Sequence, residues 1–427
     1  MREPTTTVRL PFGRGQVSIV VPRASLIGVY EPQETAEPAG EAALVERALA
    51  GPVGTPRLAE VARAGDRVAI VTSDLTRPCP SHRLLPPLLE ELRQAGVRER
   101  DVTIVMALGL HRPMTASELE AAVGWAVCRR VRVINHDPRD TVRLGVTARG
   151  TPVEVFRPVA EADRRICLGN LEFHYFAGYS GGAKAIIPGC ASQATVTANH
   201  AMMVHPDAVA GRLEGNPVRA DLEEAAAMAG VDFILNVRVD GQERIVAAVA
   251  GDVTAAHRWG CEGVAARGRV AIPERADVVV AGAGGYPRDL NLYQAQKALD
   301  NASLAAREGG AIILVAECAE GLGNPTFEAW MTGGQTPQEI LERIRERFVL
   351  GGHKAAAIAR VARRQRVLLV SPGLAGASLM GMEHFPSAQA ALDAALAAVG
   401  AGARVIVLPQ AASLLPQAAD GAERGAA

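Results

Sequence analysis

One short stretch of the sequence concentrates residue types that can do chemistry. It runs His174-Tyr-Phe-Ala-Gly-Tyr-Ser-Gly-Gly-Ala-Lys184, and Asn199-His200 follows a little further along the chain. A lysine on a glycine-rich turn can hold a phosphate or attack a carbonyl-type cofactor, and nearby histidines can transfer protons or bind a soft metal. Gly181 and Gly182 would let the backbone approach an anion closely. The pattern therefore predicts a binding site around Lys184.

Two further groups of reactive side chains follow predicted strands. Asp74-Leu-Thr-Arg77 comes after the apolar run Arg67–Thr72, and His111-Arg112 comes after Val102–Ala107. In open α/β sheets the chemistry collects at the carboxyl ends of strands. We therefore expect the Asp74, Arg77 and His111 segments to share one rim of a sheet.

Each of these loops is expected to lead into a helix. Ser81 is the predicted cap of the first, which has five leucines on one face. Thr115 and Glu118 have the spacing of a capping box and predict the start of the second. A third helix, over Ala191–Val204, would carry His200.

The second half of the chain contains one comparable segment, Gly285–Lys297. A helix is predicted after Asn291, and residues three apart on a helix share a face, so Gln294 and Lys297 would project together. Such a pair can donate hydrogen bonds to a carboxylate. The alternative is an ordinary polar helix surface.

Two nucleotide-binding signatures are nearly present, and both fail. In Gly178–Lys184, Ala183 replaces the glycine of a Walker A loop, and Ala185 replaces its Ser/Thr magnesium ligand. In Gly282–Pro287, proline stands at the third glycine position of a dinucleotide fingerprint. Ordinary ATPase or NAD dehydrogenase chemistry is therefore disfavoured.

The composition indicates a globular protein of more than one domain. The 427 residues are 48% hydrophobic and 21% charged, with a net charge of -1 and only 4% aromatic residues. This balance disfavours nucleic-acid and membrane partners. The six cysteines are scattered, as expected for reduced thiols in a cytoplasmic enzyme.

Short apolar runs alternate with Ala/Leu-rich helical patterns, which predicts an α/β fold with mainly parallel sheets. The predicted strands are Arg67–Thr72, Val102–Ala107, Arg165–Gly169, Phe233–Val239, Asp277–Ala281, Ala311–Ala316, Arg366–Val370 and Arg404–Leu408. The charged stretch Gly260–Ala276 is the predicted boundary between two α/β domains, with an active-site cleft between them. We expect an N-terminal domain over 1–265, a C-terminal domain over 275–415 and a flexible tail over 416–427.

Not every histidine is expected to have a chemical role. His111, His174 and His200 each have an ordinary structural alternative, as loop or core histidines, and Lys184 could be a solvated lysine. The remaining histidines are interpreted as structural: His82, His136, His205, His257, His353 and His384.

Taken together, these segments closely resemble the nickel-dependent lactate racemase family. The resemblance is carried, in order, by Asp74-Leu-Thr-Arg77-Pro, Gly109-Leu-His111-Arg112-Pro-Met-Thr, His174–Lys184, Ala198-Asn-His200, Gly215-Asn-Pro217 and Gly285–Lys297. It covers roughly residues 10–410.

The resemblance implies a nickel-pincer nucleotide, a pyridinium mononucleotide with two thio-acid arms that is made by separate cofactor-synthesis proteins. Lys184 would be its covalent attachment point and His200 the nickel ligand, with Asp74, Gly181 and Gly182 on the cofactor side. An imidazole suits a soft, sulfur-rich metal site, and an amine suits a thio-acyl group.

The implied reaction is racemisation or epimerisation of a 2-hydroxy acid by reversible hydride transfer through a 2-keto acid. His111 and His174 would be the acid–base pair, one for each enantiomer. Arg77 and Lys297 would bind the substrate carboxylate with Gln294 assisting, and Tyr293 is grouped with them.

The resemblance leaves several points open. The chain departs from lactate-specific members at Leu110 and Ala183, so lactate, malate, aromatic and sugar acids all remain candidate substrates. A non-racemising dehydrogenase or lyase, or a carrier of the same cofactor, is the alternative function. The oligomeric state and the histidine that serves each enantiomer stay open.

Overall fold

The computed structural model of the chain describes residues 4–32, 40–240 and 242–419. The chain divides into two compact units. Residues Met1–Gln33 and Arg267–Ala427 form one, called here the terminal unit because it contains both chain ends. Residues Glu34–Ala266 form the other, called here the inserted unit.

The described strands are numbered in chain order. They are β1 Thr5–Phe12, β2 Gly15–Pro22, β3 Leu26–Val29, β4 Val68–Ser73, β5 Val102–Ala107, β6 Arg132–Asn135, β7 Thr141–Val146, β8 Pro152–Phe156, β9 Arg164–Asn170, β10 Phe173–His174, β11 Gly178–Tyr179, β12 Phe233–Val239, β13 Ile245–Gly251, β14 Arg269–Ile272, β15 Ala276–Gly282, β16 Ala306–Val315, β17 Arg366–Val370, β18 Met382–His384, β19 Val405–Leu408 and β20 Leu415–Ala418.

The described α-helices are numbered in the same way. They are α1 Glu41–Ala50, α2 Leu58–Val61, α3 Ser81–Gln94, α4 Ala116–Val123, α5 Trp125–Cys128, α6 Arg157–Ala160, α7 Gln193–Ala201, α8 Pro217–Ala229, α9 Ala255–Gly268, α10 Leu292–Ala302, α11 Pro325–Thr332, α12 Pro337–Glu346, α13 Gly352–Ala362 and α14 Ala388–Val399. None of these helices is both long and apolar enough to cross a membrane.

The inserted unit is built on a six-stranded sheet in the order β13-β12-β9-β4-β5-β6. All neighbouring pairs are parallel except β12 with β13. The strands are continuous apolar runs because helices cover the sheet. On α3 the leucines recur with helical spacing, and Leu84 and Leu88 pack in one core with Ile70 and Ile104 of the sheet.

The terminal unit is built on a second six-stranded sheet, entirely parallel, in the order β18-β17-β16-β15-β19-β3. Alternate residues of β15 point to opposite faces of this sheet. Val279 packs in a core with α10 and α13, whereas Val280 packs in another core with α14 and the β1–β2 hairpin. Both faces of the sheet are therefore covered.

The predicted fold class is confirmed: both units are mixed α/β structures, each with a mainly parallel sheet. All eight predicted strands are present, and three have the predicted bounds, namely β5, β12 and β17. Asn291 caps α10, and Thr115 with Glu118 forms the predicted capping box of α4.

One predicted cap is wrong. Ser81 is the first residue of α3 rather than its cap, and the cap position is occupied by Pro80 without a side-chain hydrogen bond. Its hydroxyl instead lies 2.6 Å from the hydroxyl of Thr72, at the end of β4. Ser81 therefore ties the helix to the strand before it.

The domain limits expected from the sequence differ from the units of the structure. Residues 1–33 lie in the terminal unit, not with 34–266, because β3 pairs with β19 and the β1–β2 hairpin packs on the terminal sheet. Within the predicted tail, residues up to Ala418 belong to β20, which pairs with β14. Residues 420–427 of that tail lie outside the described residues.

Candidate active site

Three neighbouring strands of the inserted unit deliver the predicted site residues to one edge of the sheet. Strand β4 lies between β9 and β5, with Val71 opposite Cys167 and Ser73 opposite Ala107. All three strands are parallel, so the segments that follow them leave the sheet at the same carboxyl edge. The predicted common rim for the Asp74, Arg77 and His111 segments is thus observed.

Asp74 and His111 form a hydrogen-bonded pair on this rim. Oδ2 of Asp74 lies 2.6 Å from Nδ1 of His111. The carboxylate is buried, with 5% of its side chain exposed, whereas 34% of the histidine side chain is exposed. A carboxylate accepts only, so His111 carries a proton on Nδ1 and Nε2 is left as the acceptor in the neutral ring.

The surroundings of Asp74 keep it ionised. Burial alone would raise the pKa of Asp74, but the hydrogen bond and charge of His111, with the charge of Arg77, outweigh it and lower this pKa. The amide and hydroxyl of Thr76 also donate to Oδ1 of Asp74, at 3.1 and 2.7 Å. Arg77 donates in turn to the Thr76 hydroxyl at 3.0 Å.

The loop that carries His111 is joined to the turn that carries Lys184. The amide of Gly109 donates to the carbonyl of Gly189 at 2.9 Å, and the amide of Gly189 donates to the carbonyl of Lys184 at 3.2 Å. Gly109 has a φ of +56°, a left-handed conformation that glycine adopts without strain. The two predicted halves of the site are therefore connected through backbone hydrogen bonds.

Three predicted site residues surround one aromatic ring, that of Phe176. The His174 ring lies 4.6 Å from it and the His200 ring 4.9 Å, both edge-on, while Lys184 Nζ lies 5.7 Å from its centroid. His174 and His200 are both buried. The structure thus brings together the lysine and the two histidines that the sequence singled out.

His174 differs from His111 in its hydrogen bonding. Its Nδ1 accepts the backbone N–H of Ala177 at 3.2 Å, so this nitrogen carries no proton in the neutral ring. Its proton therefore lies on Nε2. The ring also stacks on Tyr175 at 5.2 Å between centroids.

The glycine-rich turn is held from two sides by residues that sequence reasoning left without a role. The Arg219 guanidinium, fully buried on α8, donates to the carbonyls of Ala177 and Tyr179. Asn236 on β12 accepts the amide of Gly182 at 2.8 Å. These contacts join residues far apart in sequence, and no local motif indicates them.

His257 on α9 also supports the turn. Its Nε2 donates to the carbonyl of Ser180 at 2.8 Å, and a Cβ atom at Gly182 would come within 2.6 Å of its ring. Burial, followed by the charge of Arg219, lowers the pKa of His257 to about 3. It is therefore a neutral structural histidine, as interpreted from the sequence.

The Gly215-Asn-Pro217 motif has a structural role. Asn216 caps α8 by accepting the amides of Val218 and Arg219, while its Nδ2 donates to the carbonyl of Phe176 at 2.9 Å. The cap of α8 is therefore tied to the residue at the centre of the site.

His200 on α7 is bonded to its neighbour. Its Nδ1 lies 3.1 Å from Oδ1 of Asn199, whose Nδ2 donates to the buried carboxylate of Asp221 at 2.8 Å. Within residues 4–32, 40–240 and 242–419, no cluster of three or more His, Cys, Asp and Glu side chains has an arrangement that could hold a metal ion.

The remaining predicted substrate residues lie on α10 of the terminal unit. Tyr293 packs edge-on against Phe327 at 5.6 Å. Gln294 is buried in the first turn of the helix, and Lys297 is half-buried one turn later. The buried Lys354, which the sequence did not single out, places Nζ 5.0 Å from the centroid of the Tyr293 ring.

Comparison with known proteins matches both units to one enzyme family. The lactate racemase N-terminal domain matches residues 12–211, and the lactate racemase C-terminal domain matches residues 272–415. The lactate racemase of Thermoanaerobacterium thermosaccharolyticum is 35% identical over 375 residues, covering 85% of this chain and 88% of that protein. The lactate racemase of Lactiplantibacillus plantarum is also 35% identical, over 378 residues, covering 86% and 88%.

Solved structures agree with this assignment. The lactate racemase apoprotein of T. thermosaccharolyticum superposes with a TM-score of 0.89 at 33% sequence identity. The match covers 96% of this chain and 100% of that protein chain. A Thermotoga maritima protein at 19% identity, with a TM-score of 0.68, covers 90% of this chain and 99% of the other and shares the fold. The chain is therefore a member of the lactate racemase family of isomerases.

Proposed function

We propose that the protein racemises or epimerises a small 2-hydroxy acid by reversible hydride transfer through a 2-keto acid. One observation carries the proposal: His174, Lys184 and His200 surround the Phe176 ring. Their turn is hydrogen-bonded to the loop of the Asp74–His111 pair. An amine, a metal-ligand candidate and one acid–base candidate thus surround one ring, and backbone hydrogen bonds join the lysine turn to the loop of the second acid–base candidate.

The residues present fit a nickel-pincer nucleotide. The amine of Lys184 suits covalent attachment to a thio-acid arm, and the single imidazole of His200 suits a metal that brings sulfur and carbon ligands of its own. Gly181 and Gly182 lie at φ +73° and +55°, where a Cβ atom would collide with Asn236 and His257. When bound, this cofactor would supply a reversible hydride acceptor.

The two histidines are assigned the proton transfers. Removing the substrate hydroxyl proton leaves its bonding electrons on oxygen, which forms the keto group as the hydride leaves C2. His111 is prepared to accept that proton, because Asp74 holds Nδ1–H and leaves the Nε2 lone pair. The neutral His174 ring carries its single proton on Nε2, so it would act as the general acid after gaining a second proton, returning to the neutral ring when it protonates the substrate oxygen.

The substrate carboxylate is assigned to cationic and amide side chains. Arg77 offers a planar pair of donors, and Lys297 with Gln294 offers further N–H groups. Tyr293 is assigned to the same substrate-binding group. Both curated relatives are lactate racemases. This protein departs from the lactate-specific pattern at Leu110 and Ala183, so the group attached to C2 of its substrate stays open.

The cellular setting follows from the same proposal. The cofactor would come from separate synthesis proteins, so activity is expected only when those proteins are present. All six cysteines are free thiols, which supports a reducing, cytoplasmic location.

A single experiment separates racemisation from its alternatives. Cofactor-loaded protein is incubated in deuterium oxide with one enantiomer of lactate, malate, an aromatic 2-hydroxy acid or a sugar acid. We expect the opposite configuration at C2 to form without deuterium at that carbon, because the hydride returns from the acceptor. Deuterium at C2 would contradict hydride return, and free keto acid as the main product would favour a dehydrogenase or lyase.

Variants separate catalysis from carriage of the cofactor. His111→Ala and His174→Ala should each abolish turnover while the mass adduct on Lys184 persists, and Lys184→Ala should remove the adduct in intact mass spectrometry. His205→Ala, an exposed histidine on the same unit, is the matched control. Normal turnover in both histidine variants would defeat the acid–base assignment. Absence of turnover in the wild type with a normal adduct on Lys184 would favour the hypothesis of a cofactor carrier.

A further inference from the structure

The strongest unexplained feature beside the site is a buried chain of polar side chains behind His200. Nδ1 of His200 lies 3.1 Å from Oδ1 of Asn199, and Nδ2 of Asn199 lies 2.8 Å from Oδ2 of Asp221. Oδ1 of Asp221 accepts the hydroxyl of Thr147 at 2.5 Å. Asn199 and Asp221 have 0% exposure, so water does not compete for these hydrogen bonds.

Asp221 fixes the direction of every hydrogen bond among these buried polar side chains. A carboxylate accepts only, and the second acceptor near Asn199 Nδ2 is the Val218 carbonyl at 3.4 Å. The amide nitrogen of Asn199 must therefore face Asp221, which turns its oxygen toward His200. An amide oxygen also accepts only, so Nδ1 of His200 must be the donor.

We infer that Asn199, with Asp221 and Thr147 behind it, sets the tautomer of His200. The neutral ring carries its proton on Nδ1, and its lone pair lies on Nε2. An imidazole binds a metal through the nitrogen that carries no proton, and a partner on the other nitrogen orients the ring and increases its donor strength. Asn199 and Asp221 are thus positioning residues for the His200 ligand.

Thr147 completes the arrangement from a distant hairpin. It lies at the end of β7, and its hydroxyl oxygen also accepts the amide of Thr151 at 3.1 Å. Because a carboxylate only accepts, the hydroxyl hydrogen of Thr147 is directed to Asp221. One oxygen of Asp221 accepts from Thr147 and the other from Asn199, so each oxygen of the carboxylate has a donor.

The tautomer can be read directly on the apoprotein. Protein labelled with 15N-histidine is examined by NMR, and the His200 signals are assigned by their loss in His200→Gln. We expect Nδ1 to appear protonated and Nε2 unprotonated at neutral pH in the wild type. A protonated Nε2 in the wild type would overturn the inference, and only the signal assignment depends on a variant.

Two near-isosteric variants and a matched control test the cause. Asn199→Leu removes the acceptor, and Asp221→Asn removes the group that orients the Asn199 amide, so both should shift His200 toward a mixture of tautomers. Val218→Ala shortens a buried neighbour on α8 and leaves its backbone carbonyl in place, so its spectrum should match the wild type. An unchanged His200 tautomer in both Asn199→Leu and Asp221→Asn would overturn the inference.

The consequence for nickel rests on the proposed function and has a separate readout. In protein loaded with the cofactor, loss of nickel to a chelator should be about 10- to 100-fold faster in Asn199→Leu and Asp221→Asn, the usual range for partners of a metal-bound histidine. The mass adduct at Lys184 should remain. Wild-type nickel retention in both variants would overturn this consequence.

The two sets of measurements distinguish the inference from the proposed function. The NMR result concerns the apoprotein and does not depend on cofactor or turnover. Absence of the adduct and of racemisation in the wild type would defeat the proposed function and leave the His200 tautomer as measured.

Discussion

The two acid–base candidates differ at the level of single hydrogen bonds. Nδ1 of His111 donates to Asp74, whereas Nδ1 of His174 accepts from the Ala177 backbone. Protonating His111 at Nε2 gives a cation beside a carboxylate. Protonating His174 at Nδ1 would set one N–H against another, so His174 can become a cation only if the backbone at Ala177 moves.

Asp74→Asn should therefore lower turnover in both directions. An amide can still bond to His111, but it no longer enforces the Nδ1–H tautomer or stabilises the protonated ring. We expect turnover to fall by up to about 10²–10⁴-fold, the contribution of a positioned acid–base group. The measurement is kcat for each enantiomer of the accepted substrate, with the Lys184 adduct quantified by mass spectrometry.

Asp207→Asn is a suitable control, because Asp207 is half-exposed and pairs with Arg212 away from this carboxylate. It should leave kcat near the wild-type value. Wild-type turnover in Asp74→Asn would show that the hydrogen bond to His111 does not matter for catalysis.

The lysine turn depends on the absence of side chains at its glycines. Gly182 has a φ of +55°, and a Cβ atom there would lie 2.6 Å from the buried ring of His257. Gly182→Ala should displace the turn and reduce formation of the Lys184 adduct, in addition to a backbone cost of about 1–2 kcal/mol. The adduct yield and the denaturation midpoint together measure both effects.

The matched control is Gly150→Ala in the β7–β8 turn. Gly150 has a φ of +85°, but no atom lies within 4 Å of the position its Cβ would take. It should show the backbone cost with a normal adduct yield. Equal adduct yields in the two variants would mean that His257 does not constrain the turn.

Helix α4 begins at the end of the His111 loop and provides a test of its capping box. Glu118 bonds to Arg112 and to the Thr115 amide, and these hydrogen bonds lower its pKa from 4.5 to about 2. A lowered carboxyl pKa adds stability above the unfolded value, and this stability is lost as the pH falls toward the folded value. Glu118→Gln keeps the box geometry but removes the charge.

We therefore expect Glu118→Gln to lower the free energy of unfolding at pH 7 by less than about 1 kcal/mol, as for a surface ion pair. The difference from the wild type should close as the pH falls below about 4.5, the ordinary value of the carboxyl group. Chemical denaturation at several pH values measures it. A difference that stays constant with pH would exclude the charge as its cause.

Burial on both faces of a sheet decided which strands could be predicted from the sequence. Buried strands such as β5, β12 and β17 were predictable because a continuous apolar run indicates burial on both faces. The β1–β2 hairpin alternates between buried and exposed residues and contains no such run, so it was missed.

The reactive residues of the candidate site could be chosen from the sequence, whereas the residues that support them could not. Lysine, histidine and aspartate types in glycine-rich or strand-end segments indicate chemistry by themselves. Arg219 and Asp221 occupy an ordinary-looking helix sequence, and their partners, the lysine turn and Asn199, come from other elements. Contacts of that kind are set by tertiary packing, which one sequence does not encode locally.

The order of the elements along the chain differs from the way the two units are built. β3 precedes the whole inserted unit but pairs with β19, near the end of the chain. The terminal unit therefore cannot complete its sheet until both chain ends are present. The charged stretch near residue 266 marks one crossing between units, while the other lies near residue 33, close to residues outside the described ranges.

Each unit also contains a buried neutral histidine, which makes its stability depend on pH. Burial and the charge of Lys354 lower the pKa of His353 from 6.5 to about 3. Burial and the charge of Arg219 likewise lower the pKa of His257 from 6.5 to about 3. Between these values the unfolded chain binds a proton at each position and the folded chain does not. The free energy of unfolding should therefore fall as the pH decreases below 6.5, by about 1.4 kcal/mol per pH unit for each histidine.

His353→Gln should flatten this dependence in the terminal unit, and His257→Gln should do so in the inserted unit. Denaturation of the full chain between pH 7 and pH 5 measures both slopes, and His205→Gln, on the surface, should leave them unchanged. If the units unfold separately, each variant alters only one of two transitions; if they unfold together, both flatten the same transition. Slopes equal to the wild type in both variants would show that these histidines do not govern the acid sensitivity of the fold.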